Sequence, residues 1–251
     1  MHRTRIKICG LTRAEDVAAA VAAGADALGF VFYPKSPRHV TPAQAAILMA
    51  AVPPYVTTVG LFVNASAREV ADTVAIAPVS LLQFHGDESP EACAQAAALA
   101  NRPYVVAVRV RAEMKAADLL ECDARCRAAS TLFAGLLLDA FVDGYGGGGK
   151  VFDWSVIPEE LAPRVVLSGG LHVQNATDAV VAVRPHAVDV SSGVERNQDG
   201  VRRPGIKDAD LMSAFMSAVR RADADGADSG AIPHRPATVT NTDTDIPKDR
   251  S

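Results

Sequence analysis

Aromatic residues are scarce in this chain, at 5%, so Ala, Val and Leu must carry most of the 49% hydrophobic content. Four cysteines in 251 residues are too few for a disulfide scaffold. They point to reduced thiols in a soluble cytoplasmic protein. No apolar run approaches the roughly 20 residues of a membrane span. The opening "MHRTRIKICG" has no signal-peptide core. A net charge of −4 makes no electrostatic case for nucleic acid as a partner. No G-x-G-x-x-G follows the first apolar run, which argues against a doubly wound dinucleotide-binding sheet.

What the chain does contain is a repeat of short strands and Ala-rich helices. "RIKIC", "ALGFVF", "TTVGLFV", "SLLQFH", "YVVAVRV", "FAGLLLDA", "RVVLSGG" and "AVDVSSG" recur roughly every 20 to 30 residues, the spacing of βα units. Several alternate little, as strands covered on both faces should. Between them, "TRAEDVAAAVAAGA" opens with a Thr12-x-x-Glu15 capping-box pattern and ends on Gly24. Thr41-Pro42, Ser66 and Ser89 mark further helix starts. The expectation is a single (β/α)8 barrel over residues 1–222. From Asp223 to Ser251 the pattern becomes polar and rich in Pro, Thr and Asp, and predicts a disordered tail.

In such a barrel the C-terminal strand ends share one mouth, where active sites lie. This chain places Cys9-Gly10 there on the first strand, and Arg38 in the loop after the second. His85 ends the fourth strand and Asp139 the sixth. Gly169-Gly170 follow the seventh strand, and Ser192-Gly193 the eighth. Glycine-rich turns with exposed N–H groups on the last two strands form an anion cradle, the usual phosphate site of this architecture. Cys9 and Asp139 then lie across the mouth from each other. A carboxyl against apolar walls can hold a proton. A thiol near a cation can have its pKa lowered, so the pair suits proton abstraction beside a carbonyl or imine. Arg38 offers a planar fork for a substrate carboxylate. His85 is grouped with the substrate-binding residues, although a strand-end histidine often serves as support behind the ligand. Cys93, Cys122 and Cys126 fall in helices and complete no zinc site.

"GYGGGGKV", residues 144–151, nearly spells a phosphate-binding P-loop. Val151 stands where the magnesium-binding hydroxyl is required, and no strand-to-helix turn carries the loop. A lid over a small ligand suits its glycines better.

Together "KICGLT", "GADALGFVFYPKSPRHV", "VGLFVN", "LLQFHGDE", "LLLDA…GYGGGGKVFDW", "VVLSGGL" and "DVSSGVE…PGIKD" resemble the phosphoribosylanthranilate isomerases of tryptophan biosynthesis. The likeness runs in order from Arg5 to about Arg221. It implies a (β/α)8 barrel and an Amadori rearrangement of N-(5-phosphoribosyl)anthranilate to 1-(2-carboxyphenylamino)-1-deoxyribulose 5-phosphate. It implies Cys9 as general base, Asp139 as general acid, and Arg38 on the anthranilate carboxylate. Gly169, Gly170, Ser192 and Gly193 would hold the phosphate. This chemistry calls for neither metal nor cofactor. The expected partner is the small phosphorylated substrate, and the chain is expected as a monomer or homodimer. Two alternatives remain. A related histidine-pathway sugar isomerase would carry a carboxylate at the position of Cys9. A phosphate-binding barrel without catalysis would need no paired thiol and carboxyl.

Overall fold

The computed structural model describes residues 3–141 and 151–228. Its parallel strands are β1 (Arg5–Cys9), β2 (Ala27–Val31), β3 (Thr57–Phe62), β4 (Leu81–Phe84), β5 (Tyr104–Val110), β6 (Phe133–Ala140), β7 (Val166–Leu167) and β8 (Ala187–Val190). They close into a barrel in sequence order, β8 pairing with β1. Helices α1 (Ala14–Ala23), α2 (Pro42–Met49), α3 (Ala67–Ile76), α4 (Pro90–Ala100), α5 (Ala116–Ala129), α6 (Ala176–Val183) and α7 (Ala209–Asp228) form the outer layer. Among the described residues, β6 and β7 are joined by two 3-10 turns instead of an α-helix. Among the described residues, no helix is long and apolar enough to cross a membrane.

Strand alternation divides the side chains between two cores. Ile6, Ile8, Phe30, Leu82, Leu136 and Val188 face the helices in one continuous apolar cluster. Their neighbours Lys7, Gln83 and Asp189 are also buried, inside the barrel. Short apolar strands thus carry polar groups into the interior without exposing them.

Most predicted caps are present. Thr41 and Gln44 form a capping box on α2, Ser66 and Glu69 form another on α3, and Ser89 caps α4. The α1 cap is different. Arg13, not Thr12, is the N-cap and makes no side-chain cap bond. The Thr12 hydroxyl donates instead to the carbonyl of Gly205, 2.6 Å away. A tertiary partner has outbid the local one.

Two elements were not foreseen. A hairpin of β9 (Glu195–Gln198) and β10 (Val201–Lys207) follows β8. Its turn, Asp199-Gly200, has positive φ at both residues, and Asp-Gly is a strong hairpin signal. The barrel also does not stop at 222, because α7 continues to Asp228. Asp223, expected in a tail, accepts hydrogen bonds from the Thr4 amide at 2.8 Å and the Thr4 hydroxyl at 2.7 Å. The boundary was misplaced because a polar helix face resembles a polar tail in composition. The glycine-rich loop up to Lys150 and the tail beyond Asp228 lie outside the described residues.

Candidate active site

β1 delivers Lys7 and Cys9 to the same interior face, two residues apart. Lys7 lies in register with Asp189 of β8, and its ammonium donates to that carboxylate at 2.9 Å. Cys9 follows at the mouth, only 4% exposed. Burial pushes its thiol up, by more than the Lys7 ammonium pulls it down, so the net shift is upward. This corrects the expectation of a lowered thiol: a cation is present, but the desolvation around it is larger. Gly10, at φ 76°, then turns the chain out of the strand. The N–H groups of Gly10 and Leu11 both donate to the Gly29 carbonyl. The Ser191 hydroxyl donates to the Cys9 carbonyl at 3.1 Å and ties the ends of β1 and β8 together.

Asp139 sits near the end of β6 with little exposure of its side chain. Its Oδ2 is 3.0 Å from Nε2 of His85, and Nδ1 of that ring is 3.0 Å from the Gln83 amide nitrogen. His85 and Asp139 come from elements 54 residues apart. The seventh loop touches the same carboxyl. A Cβ on Gly169 would lie 2.9 Å from Asp139 Oδ1 and would collide with the Ala140 amide, and its φ is +83°. Only glycine lets this loop reach the acid.

Arg38 is buried at the opposite rim. Its Nε donates to Glu195 Oε1 at 2.7 Å and its Nη2 to Oε2 at 2.8 Å. Glu195 also accepts from the Gly205 amide at 2.8 Å and from Lys207 Nζ at 3.3 Å. Burial alone would raise the Glu195 carboxyl, but Arg38, Lys207 and the Gly205 N–H together hold it below the usual carboxylate range. Burial pulls the Lys207 ammonium down to about 8, against the pull of Glu195. The fork expected to bind substrate is thus partly used by the protein. Among the described contacts Nη1 makes no hydrogen bond, and it is the part of the guanidinium left for a ligand.

The seventh and eighth loops bring Gly169-Gly170 beside Ser192-Gly193. Gly170 has φ +64°, and Ser192 opens a 3-10 turn, Ser192–Val194. A Cβ on Gly193 would strike the Leu171 carbonyl, so the two loops are in close contact. Among the described residues, the Gly169 and Gly170 amides donate to no backbone acceptor. These N–H groups can receive an anion.

The predicted residues therefore form four groups around one mouth: Cys9 on β1, Arg38 in the loop after β2, the His85–Asp139 pair from β4 and β6, and the loops after β7 and β8. Lys7, Gln83, Asp189, Glu195 and Lys207 were missed. Gln83 and Asp189 each interrupt an apolar strand with one polar residue, and Lys7 alternates with Ile6 and Ile8 in β1, which is the signal they left. Cys93 lies in α4, Cys122 and Cys126 in α5, and all four cysteines are free thiols. Among the described residues no group of three His, Cys, Asp or Glu could hold a metal ion.

The chain matches the family model described as N-(5'phosphoribosyl)anthranilate (PRA) isomerase over residues 6–218. It is 62% identical over 224 residues to the N-(5'-phosphoribosyl)anthranilate isomerase of Herminiimonas arsenicoxydans, covering 89% of this chain and 96% of that one. The corresponding protein of Ralstonia nicotianae is 53% identical over 233 residues, covering 89% and 96%. Among solved structures, the phosphoribosyl anthranilate isomerase of Thermotoga maritima is similar with a TM-score of 0.74 at 38% identity, covering 87% of this chain and 99% of that one. A phosphoribosyl anthranilate isomerase in complex with reduced 1-(o-carboxyphenylamino)-1-deoxyribulose 5-phosphate gives a TM-score of 0.71 at 36% identity, with the same coverage.

Proposed function

The chain belongs to the N-(5'-phosphoribosyl)anthranilate isomerase family, and we propose that Cys9 is the base and Asp139 the acid of its reaction. The activity is the Amadori rearrangement of N-(5-phosphoribosyl)anthranilate to the aminoketose 1-(2-carboxyphenylamino)-1-deoxyribulose 5-phosphate. Asp139 protonates the ribose ring oxygen, and the ring opens to a cationic imine. That charge acidifies the C2–H bond, and Cys9 removes the proton. The resulting enolamine gains a proton at C1 and loses one from the C2 hydroxyl. Protons gained and lost balance, and no electron leaves the molecule.

The observation that carries this reading is the placement of one thiol and one hydrogen-bonded carboxyl on β1 and β6, facing a shared mouth. The raised thiol fits the sequence of events. Burial disfavours a lone thiolate, whereas a cationic imine beside Cys9 would stabilise it together with Lys7. Gly169, Gly170, Ser192 and Gly193 hold the 5-phosphate by backbone N–H groups, and Arg38 meets the anthranilate carboxylate through Nη1. A cytoplasmic setting accounts for four cysteines without a disulfide.

Turnover of N-(5-phosphoribosyl)anthranilate, followed by the change in anthranilate fluorescence, tests the reading. Wild-type protein should convert the substrate, and Cys9→Ala should not. Turnover by Cys9→Ala at a rate near wild type would overturn the assignment of the base.

A further inference from the structure

The interior of a (β/α)8 barrel is normally filled by layers of bulky branched side chains. Here the lowest layer leaves a gap. Six strands contribute their first residue to the lining of a cavity of about 210 Å³: Arg5, Ala27, Thr57, Leu81, Val166 and Ala187. It therefore lies at the N-terminal ends of the strands, on the face opposite the mouth that holds Cys9 and Asp139. Two of these residues are alanines, and β6 adds Gly135, so β2, β6 and β8 bring little side-chain volume to this level.

Size and walls define what fits. Val59, Leu81, Val105, Leu137 and Val166 supply an apolar lining. A void of about 150 Å³ with walls of this kind takes up benzene, so the larger one here holds a single aromatic ring with a small substituent. A rigid ring also loses less freedom on entry than a flexible chain does. The rim defines the substituent. Exposed Arg5, Arg164 and His186 stand there against one carboxylate, Asp26. Asp26 is already engaged, accepting from Arg3 at 2.5 Å and from the Ile6 amide at 3.0 Å. Arg164 lies 3.6 Å from Asp123. Arg5 is different. Its Nη1 lies 3.5 Å from His186 Nδ1, and among the described residues no carboxylate pairs with it. A guanidinium at the edge of an apolar cavity, without a counter-ion of its own, suits a carboxylate.

We propose that this cavity is a second binding site, for a small aromatic carboxylate of the benzoate kind: the ring lies among the Val and Leu side chains, and the carboxylate meets Arg5 at the rim. The site is separate from the mouth and independent of which residues act as base and acid. Lys7 and Gln83, two residues deeper along β1 and β4, close its inner end. Cys9 and His85 follow two residues beyond them, so a single layer of side chains divides this ligand from the reacting groups.

Benzoate is the probe, titrated into the full chain carrying 13C-labelled Leu and Val methyl groups. The methyl resonances of Val59, Leu81 and Val105 should shift and saturate, because an aromatic ring displaces the signals of groups packed on its faces. Benzamide has the same shape without the charge and should bind about fivefold more weakly, the effect of losing an exposed ion pair. Arg5→Gln should weaken benzoate by the same factor, about fivefold. Ala27→Leu, which fills the cavity from β2, should abolish the shifts. If that variant does not fold, Arg5→Gln decides by itself. No saturable shift in the millimolar range overturns the proposal, as do shifts confined to methyls at the mouth, which would mean that benzoate had gone to Arg38. Equal binding of benzamide and benzoate, or undiminished binding of benzoate to Arg5→Gln, also overturns it. Cavity methyls that move with protein concentration and not with benzoate would mean that a second copy covers this face, and the proposal fails.

Discussion

The thiol of Cys9 is held between a burial that disfavours its charge and a lysine that favours it, and burial prevails. For an acid, an upward shift means that the thiolate appears only at higher pH. Above the ordinary value of 9.0, less than about 1% is ionised at pH 7, and that fraction grows about tenfold per pH unit. Alkylation of Cys9 by iodoacetamide should therefore keep accelerating from pH 7 past pH 9. Cys122 is half-buried and lowered by its hydrogen bond with Cys126, so it should label first at pH 7. Peptide mapping by mass spectrometry follows both rates, and a flat Cys9 rate would reveal a thiolate already formed without substrate. Chemistry at the two ends of the substrate should separate by mutation. Cys9→Ser exchanges the thiol for a hydroxyl that does not ionise, and Asp139→Asn keeps a hydrogen bond but delivers no proton. Each should lower kcat by at least about 100-fold with KM changed only a few-fold. Steady-state kinetics decide this. A Cys9→Ser enzyme with normal kcat would reduce the thiol to packing.

The hairpin β9–β10 is an element whose purpose is visible only through what it supports. Its first residue, Glu195, and its last, Lys207, form one buried charge cluster with Arg38 from the loop after β2. Breaking a buried pair leaves an uncompensated charge and typically costs about 3 to 5 kcal/mol. Glu195→Gln leaves Arg38 and Lys207 facing a neutral group, and should lower unfolding free energy at pH 7 by about 3 kcal/mol. KM should rise about tenfold, equivalent to about 1.4 kcal/mol, because the guanidinium loses the mount that aims Nη1. The sign of the pH effect follows from the lowered carboxyl. A lowered acid binds protons less readily folded than unfolded, so its stabilisation is complete above about pH 4.5 and is lost as pH falls through the folded value. The stability gap between wild type and Glu195→Gln should shrink at acid pH. Denaturant titrations at pH 7 and pH 4 test this, and a gap that widened toward acid would contradict the pairing.

For the whole molecule, closure depends on α7, which packs on both α1 and α6. Asp223 fixes this seam by accepting two hydrogen bonds from Thr4, across 219 residues of sequence. Bonds to a charged acceptor are worth about 1.5 to 3 kcal/mol each in favourable settings. For partly buried bonds, Asp223→Ala should cost about 2 kcal/mol in all. At about 2 to 4 °C per kcal/mol for a chain of this size, Tm should fall by about 4 to 8 °C. Truncation after Asp228 removes only the segment whose composition predicts disorder, and should leave Tm within about 2 °C. Thermal melts of the two proteins separate the seam from the tail. A larger fall on truncation would show that residues beyond Asp228 pack on the barrel.

The sequence by itself determined what is local. The order of the eight barrel strands and the helices between them, the caps at Thr41, Ser66 and Ser89, and the residues at each barrel strand's C-terminal end follow from short-range pattern and turn chemistry, whereas the β9–β10 hairpin was missed. Cys9, Arg38, His85, Asp139 and the paired glycines were legible because this architecture gathers strand ends at one mouth. Only the tertiary structure decided who faces whom. Lys7 meets Asp189 across 182 residues, Arg38 meets Glu195 across 157, and Thr12 abandons its helix for Gly205 across 193. The direction of the Cys9 shift was undecidable beforehand for the same reason. Burial is set by the closed barrel as a whole, and it outweighs a lysine two residues away that the sequence displays openly.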